Sequence, residues 1–261
     1  MKLVLKIGGA ALENDGLVAQ FCSTVAALAA EGHQLLVVHG GGAALSRTLK
    51  ELAIEPKFVD GLRVTDAKTL DVALMVLGGM LNKKLAAAIG AKGCEAVGVC
   101  GSDLHLCTAQ KKIAAQDIGF VGDIVAVNEK WIETFWANGA VLVIASLAQG
   151  VDGEFYNVNA DEMASAIASA CGVDALIFLT DVAGVKDATG HVLSRLNLKQ
   201  IDALHASGAV SGGMLPKLDA CKQALLAGVG SVRILKAANV DALTNMFETP
   251  LQCGTELVSH A

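Results

Sequence analysis

A chain of 261 residues in which 53% are hydrophobic holds ample core-forming material for one large α/β domain or two lobes, which excludes a disordered chain. Only 18% of residues are charged, and 20 Lys and Arg against 26 Asp and Glu leave a net charge of −6, which excludes a general nucleic-acid binder. Mean hydropathy is +0.52, yet the longest apolar candidate, residues 163–180, is broken by Asp174, so no membrane span is expected.

Short apolar runs alternate with helical patterns almost from end to end. Residues 3–7 read as a strand that closes on Gly8-Gly9, and residues 17–30 as a helix ended by Gly32. Residues 34–38 form a second strand closing on Gly40-Gly41-Gly42, followed by a helix over 43–52. Thr65 caps a further helix with an apolar face of Leu70, Ala73, Leu74 and Leu77, with Gly78 beyond its end. Residues 96–100, 141–145, 175–179 and 232–235 are further buried strands, and 160–171 is helical. This alternation predicts a mainly parallel sheet covered on both faces. Residues 104–127, punctuated by Gly119 and Gly122, suit antiparallel hairpins instead. A lobe boundary is placed near Gly172, giving an N-terminal lobe of 1–172 and a C-terminal lobe of 173–261.

The seven cysteines form no Cys-x-x-Cys pair, and the spacing of Cys94, Cys100, His105 and Cys107 matches no zinc pattern. Reduced thiols in a cytoplasmic protein are expected. The histidines form no pair with a nearby Ser or Cys, so hydrolase chemistry has no support.

Two strand ends finishing in glycines let backbone N–H groups approach an anion, helped by the dipole of the following helix. The usual phosphate motifs are nonetheless absent: Pro216 stands where the P-loop needs glycine, and Leu45 where the dinucleotide fingerprint does. Lys217 sits in the first turn of a helix led by Pro216, where the macrodipole disfavours a cation by about 0.3–1 kcal/mol. That placement makes sense where lysine and helix end face a polyanion together. Asn157, Asn159 and Asp161 alternate on one face of an extended segment; a calcium loop is excluded by Glu162 and Ala168 at its glycine and glutamate positions. Arg63 offers a planar fork suited to a carboxylate.

In order, these stations resemble the amino acid kinase family, and its acetylglutamate branch in particular. The resemblance runs through Lys6-Ile7-Gly8-Gly9, Val38-His39-Gly40-Gly41-Gly42, Gly61-Leu62-Arg63-Val64-Thr65 and Gly119-Phe120-Val121-Gly122-Asp123. It continues through Asn157-Val158-Asn159-Ala160-Asp161, the segment from Thr180 to Val185, Gly212 to Lys217 and Gly254-Thr255. It implies a three-layer α/β sandwich around a mainly parallel sheet, the carbamate kinase-like fold. It also implies phosphoryl transfer from ATP, with Mg2+, to the γ-carboxylate of N-acetyl-L-glutamate in arginine biosynthesis. By resemblance, Lys6 and Lys217 stabilise the transferring phosphoryl group and Asp161 holds the two lysines. Gly41, Gly42, Arg63, Asn157 and Asn159 match acceptor-binding positions. Gly8, Gly9, Asp181, Val182, Ala183, Gly184, Val185, Lys186, Ala209, Val210 and Ser211 match the nucleotide-lining segments; no residue is assigned as a metal ligand.

An ionised γ-carboxylate needs no general base, which agrees with the missing histidine dyad. The sequence departs from the family pattern at Ala10-Ala11 and at Cys100 to His105. The rival readings are a kinase for a related acid, such as a carrier-linked aminoadipate or glutamate, and a catalytically silent metabolite sensor. Arginine-inhibited relatives carry a helix before the first strand, whereas Lys6 here follows only five residues. A homodimer without that feedback is therefore expected.

Overall fold

The computed structural model describes residues 1–208, 210, 214–245 and 253–260. From the N-terminus, β1 (Lys2–Ile7) leads through the short α1 (Gly9–Leu12) into α2 (Asp15–Ala30), then β2 (Gln34–His39) and α3 (Gly42–Glu51). A small hairpin of β3 (Phe58–Val59) and β4 (Leu62–Arg63) precedes α4 (Ala67–Ala73), which continues through a π-helical stretch (Leu74–Leu81) into α5 (Asn82–Gly90). Next come β5 (Ala96–Cys100), β6 (Cys107–Lys111), β7 (Val121–Val127), α6 (Glu129–Ala137), β8 (Val141–Ala145), β9 (Leu147–Gly150), β10 (Phe155–Val158) and α7 (Ala160–Ala170). The chain continues with β11 (Ala175–Thr180), β12 (Arg195–Asn197), α8 (Leu198–Ser207) and α9 (Met214–Leu226). It then runs through β13 (Ser231–Lys236), a 3₁₀ stretch (Ala237–Asn245) and β14 (Thr255–Val258).

An eight-stranded sheet of order β12-β14-β13-β11-β1-β2-β8-β5 forms the middle layer. Every pairing in it is parallel except β13 with β14. Strands up to β8 occupy one half and strands from β11 onward the other, meeting where β1 pairs with β11. Alternation along β1 sends Leu3, Leu5 and Ile7 toward Phe21, Val25 and Leu28 of α2 and sends Val4 into the opposite core with Met163 and Ile167 of α7. Burial on both faces is why the strands read as unbroken apolar runs. A second, closed arrangement of β10-β7-β6-β9 stands beside the sheet, with β6 and β7 antiparallel as expected for residues 104–127.

The structure corrects the expected helix after Thr65. Asp66, not Thr65, is the cap, its carboxylate accepting from Thr69 N at 2.8 Å. The helix does not stop at Gly78 but runs from Ala67 to Gly90. Gly78 serves close approach: a Cβ there would lie 2.7 Å from Cys100 Sγ. By length and composition this is the one helix among the described residues apolar enough to cross a bilayer, in place of 163–180, which splits between α7 and β11. Its Val72, Val76, Leu77, Leu85 and Ile89 are buried in the protein's own cores.

Thr65 instead bridges to Gly119, exchanging backbone bonds with residues 118 and 120. Gly119 has φ +73°, and a Cβ would lie 2.2 Å from Thr65 O. Gly119→Ala is expected to destabilise the protein by about 1–3 kcal/mol more than Gly153→Ala, where φ is +84° and nothing lies within 4 Å. Denaturant unfolding of both variants checks this.

Candidate active site

Alternation that buries Val4 against α7 sends Lys6, the next residue on that face, to the same side at the carboxyl end of β1. There α7 begins. Asn159 caps it, its side-chain oxygen accepting from Asp161 N at 2.8 Å and Glu162 N at 3.3 Å, and both acids occupy the first turn, where the helix dipole favours them. Lys217 is the fourth residue of α9, which begins two residues before the expected Pro216. Lys6 Nζ lies 2.8 Å from one Asp161 oxygen and Lys217 Nζ 2.5 Å from the other. Lys217 Nζ also sits 5.0 Å from the ring centroid of the fully buried Phe178 of β11. Burial pushes the Asp161 carboxyl up, but the Lys6 and Lys217 ammoniums outweigh it and hold it below the usual carboxylate range. Two cations on one carboxylate leave a positive excess.

Two clefts lie beside this cluster. One, of about 380 Å³, is lined by Lys6, Gly8, Gly9, Thr180, Asp181 and Lys236. The other, of about 190 Å³, is lined by Gly40, Gly41, Gly42, Arg63, Asn157 and Asn159 among others. The glycine stations touch: a Cβ on Gly9 would lie 3.0 Å from Gly42 N and 3.3 Å from Gly41 Cα. Gly41 in turn lies against the π-helical stretch, where a Cβ would come within 2.3 Å of Leu81 and 2.6 Å of Leu77.

Arg63 is 8% exposed and stacks over Phe58 at 4.7 Å. Its Nη2 donates to Gly42 O at 3.0 Å and Ser46 Oγ at 2.7 Å, while its Nη1 is buried without a partner in the protein. Burial pulls this guanidinium below the ordinary arginine range. A buried donor left open beside a cleft is what a carboxylate ligand would satisfy. Asn157 Nδ2 donates to Thr65 Oγ1 at 3.2 Å, and Thr65 Oγ1 donates to Arg63 O at 2.9 Å, tying β10 to the arginine hairpin.

The structure thus gathers Lys6, Asp161 and Lys217 at one point, with Gly8, Gly9 and Asp181 on one side and Gly41, Gly42, Arg63, Asn157 and Asn159 on the other. Residues 182–186 are not among those lining the Gly8–Gly9 cleft: Val182 is exposed, Val185 is fully buried with its N–H on Thr255 Oγ1 at 2.8 Å, and Lys186 bridges to Val192. Val210 is buried in the core, and Ala209 and Ser211 lie outside the described residues. Sequence reasoning missed Thr180 and Lys236, which face each other in register where β11 and β13 end. Only strand pairing joins them. All seven cysteines are free thiols, and burial pushes Cys107 up to about 12.

A parallel sheet whose strand ends present two glycine stations, a lysine pair on a carboxylate and an open guanidinium is the apparatus of a small-molecule phosphotransferase. The chain belongs to the amino acid kinase family, whose model matches residues 1–236. It is 71% identical to a protein named acetylglutamate kinase from Koribacter versatilis over 259 residues, covering 99% of each chain. A protein of the same name from Acidobacterium capsulatum is 51% identical over 259 residues, 99% of this chain and 100% of that one. Among solved structures, smu.665 from Streptococcus mutans superposes with a TM-score of 0.83 at 29% identity, covering 99% of both chains.

Asp161→Asn leaves two buried ammoniums facing each other and is expected to cost about 3–5 kcal/mol of stability at neutral pH. Because the folded pKa of Asp161 is depressed, its contribution is full above the unfolded value of about 3.9 and is lost as pH falls through the lower folded value. Unfolding free energy against pH should therefore show a gap between wild type and variant that closes in acid.

Proposed function

We propose that this chain transfers the γ-phosphoryl group of ATP to the γ-carboxylate of N-acetyl-L-glutamate, giving N-acetyl-L-glutamyl 5-phosphate and ADP, as a step of arginine biosynthesis. The observation that carries the reading is the Lys6–Asp161–Lys217 cluster, whose Lys6 lines one cleft and whose Asp161 follows Asn159 and Ala160 of the other. The acceptor occupies the Arg63 cleft, its α-carboxylate on the open Nη1 and its γ-carboxylate directed at the glycine junction. The nucleotide phosphates lie along Gly8 and Gly9, with Asp181 at the same end. The acceptor side belongs to the lobe of residues 1–172 and the nucleotide side mainly to 173–261, with Lys6, Gly8 and Gly9 of the first lobe reaching the phosphates across the β1–β11 pairing.

A γ-carboxylate with an ordinary pKa of about 4.3 is already ionised at neutral pH. Its oxygen attacks the γ-phosphorus while the bond to the β-phosphate oxygen breaks, and no proton moves. What the site must supply is alignment of two anions and screening of their repulsion. Lys6 and Lys217 screen the phosphoryl oxygens, and Asp161 keeps both ammoniums aimed at one point. Among the described residues no group of three His, Cys, Asp or Glu gathers to cage a metal. Mg2+ carried on the nucleotide takes phosphate oxygens and water with one or two carboxylates, and Asp181, which lines the Gly8–Gly9 cleft, would be one such carboxylate. Bound so, it neutralises part of the phosphate charge.

The free cysteines fit a reducing cytoplasm. A homodimer that extends the central sheet is supported by β5, an edge strand with one unpaired side, and by Met75 and Met80, 59% and 39% exposed on the neighbouring helix. Sedimentation is expected to give a dimer; Met75→Glu should shift it toward monomer, and a wild-type monomer would overturn the assembly.

Lys6→Ala and Lys217→Ala are each expected to lower kcat by about 10²–10³ in ADP release with N-acetyl-L-glutamate. Arg63→Lys should raise the acceptor KM about 10–100-fold, as one charged hydrogen bond is worth about 1.5–3 kcal/mol, and leave the ATP KM near wild type. Parallel assays with glutamate, aspartate and carbamate fix the acceptor.

A further inference from the structure

His39 ends β2 and is fully buried, as is Asn82, the first residue of α5 after the π-helical stretch. His39 Nδ1 lies 2.8 Å from Gly40 O. A carbonyl only accepts, so Nδ1 carries the hydrogen and Nε2 is left as an acceptor. Asn82 Nδ2 lies 3.1 Å from Nε2, 2.9 Å from Val143 O in β8 and 3.1 Å from Val99 O in β5, so its two hydrogens are shared among three acceptors, the imidazole nitrogen being one. Lys83 Nζ donates to Asn82 Oδ1 at 3.3 Å. Burial pushes His39 down to about 4, against a smaller opposing pull from its Gly40 bond, so the ring is neutral.

Burying an imidazole and an amide is costly where an apolar pair would pack as well; here the amide meets the imidazole and two strand carbonyls, and the imidazole meets one peptide group. In a planar trans peptide the carbonyl and the next N–H point opposite ways. Fixing Gly40 O against His39 therefore turns the Gly41 N–H away from the core. Among the described residues no backbone carbonyl takes that N–H, and Gly41 lines the acceptor cleft.

We propose that His39 and Asn82 are positioning residues that hold the Gly40–Gly41 peptide with its N–H presented to the ligand, Asn82 fixing the imidazole and the imidazole fixing the carbonyl. This rests on the reading of Gly40–Gly42 as a ligand station. Neither residue touches the ligand. The pair also links that station to the helix of residues 67–90, whose Leu77 and Leu81 close against Gly41 from the other side.

Two substitutions separate the roles. His39→Asn keeps an N–H near the Nδ1 position and the bond to Gly40 O; His39→Gln extends past it toward Asn82 and loses that bond. With ATP and N-acetyl-L-glutamate, His39→Gln is expected to lower kcat/KM per folded molecule by up to about 10²-fold, the cost of a misplaced reacting group. His39→Asn should stay within a few-fold of wild type even where its Tm drops. Equal rates for both folded variants, whether high or low, would overturn the proposal. Nitrogen-15 NMR of histidine-labelled wild-type protein tests it without any substitution: an Nδ1-protonated tautomer is expected for His39, and an Nε2-protonated or charged ring would sink it. Absence of wild-type turnover with N-acetyl-L-glutamate would instead fault the proposed function, leaving the tautomer result standing.

Discussion

Lys6, Asp161 and Lys217 come from three distant parts of the chain, and their ion pairs form only when β1, α7 and α9 deliver them to the same end of the sheet. Like charges brought this close repel unless a counter-charge stands between them. Asp161 is that counter-charge, and its place at the amino end of α7 adds the helix dipole to the stabilisation of its ionised form. The arrangement remains one negative charge short. In the proposed function an arriving polyphosphate supplies the missing charge, with Asp161 standing in for part of that charge in the resting site. The parallel sheet, with α7 and α9 packed on one face, is what makes this convergence geometrically available.

The Arg63 cleft depends on a different constraint, the orientation of a donor that has no protein partner among the described residues. Arg63 is fixed through Nη2 by Gly42 and Ser46, by its ring contact with Phe58, and through its own carbonyl by Thr65 and Asn157. With so much of the residue anchored, the free Nη1 has little room to turn away from its cleft. Orienting donors in advance lowers the ordering cost of binding. The hairpin, α3 and β10 thus act together on one guanidinium.

Much of this was readable from sequence because single residues had to satisfy a requirement visible locally. Apolar runs 3–7, 34–38, 141–145 and 175–179 announce strands covered on both faces, and each is one. Lys217 is conspicuous because a lysine near a helix start is electrostatically awkward, and the structure resolves the awkwardness with Asp161 and Phe178. What could not be read depends on partners far off in sequence. Gly78 looks like a helix stop, yet its missing side chain makes room for Cys100. Val185 sits in a segment that matches nucleotide-binding relatives, but its side chain belongs to the core. Lys236 reaches a cleft only because β13 pairs with β11, and the His39–Asn82 contact spans 43 residues with no pattern in either segment to announce it.

The division of the sheet into an early and a late half also bears on how the chain is made. β1 leaves the ribosome first, but its partner β11 follows far behind: the bond from Lys2 N to Asp174 spans 172 residues. At synthesis rates of about 5–20 residues per second, a nascent chain carries β1, with the backbone edge that β11 will cover left open, for roughly 10–30 s before β11 emerges. An apolar strand with an open edge is a template for pairing with other chains. The early half, β1-β2-β8-β5, thus passes through an interval in which a strand that ends up inside the sheet is an outer one.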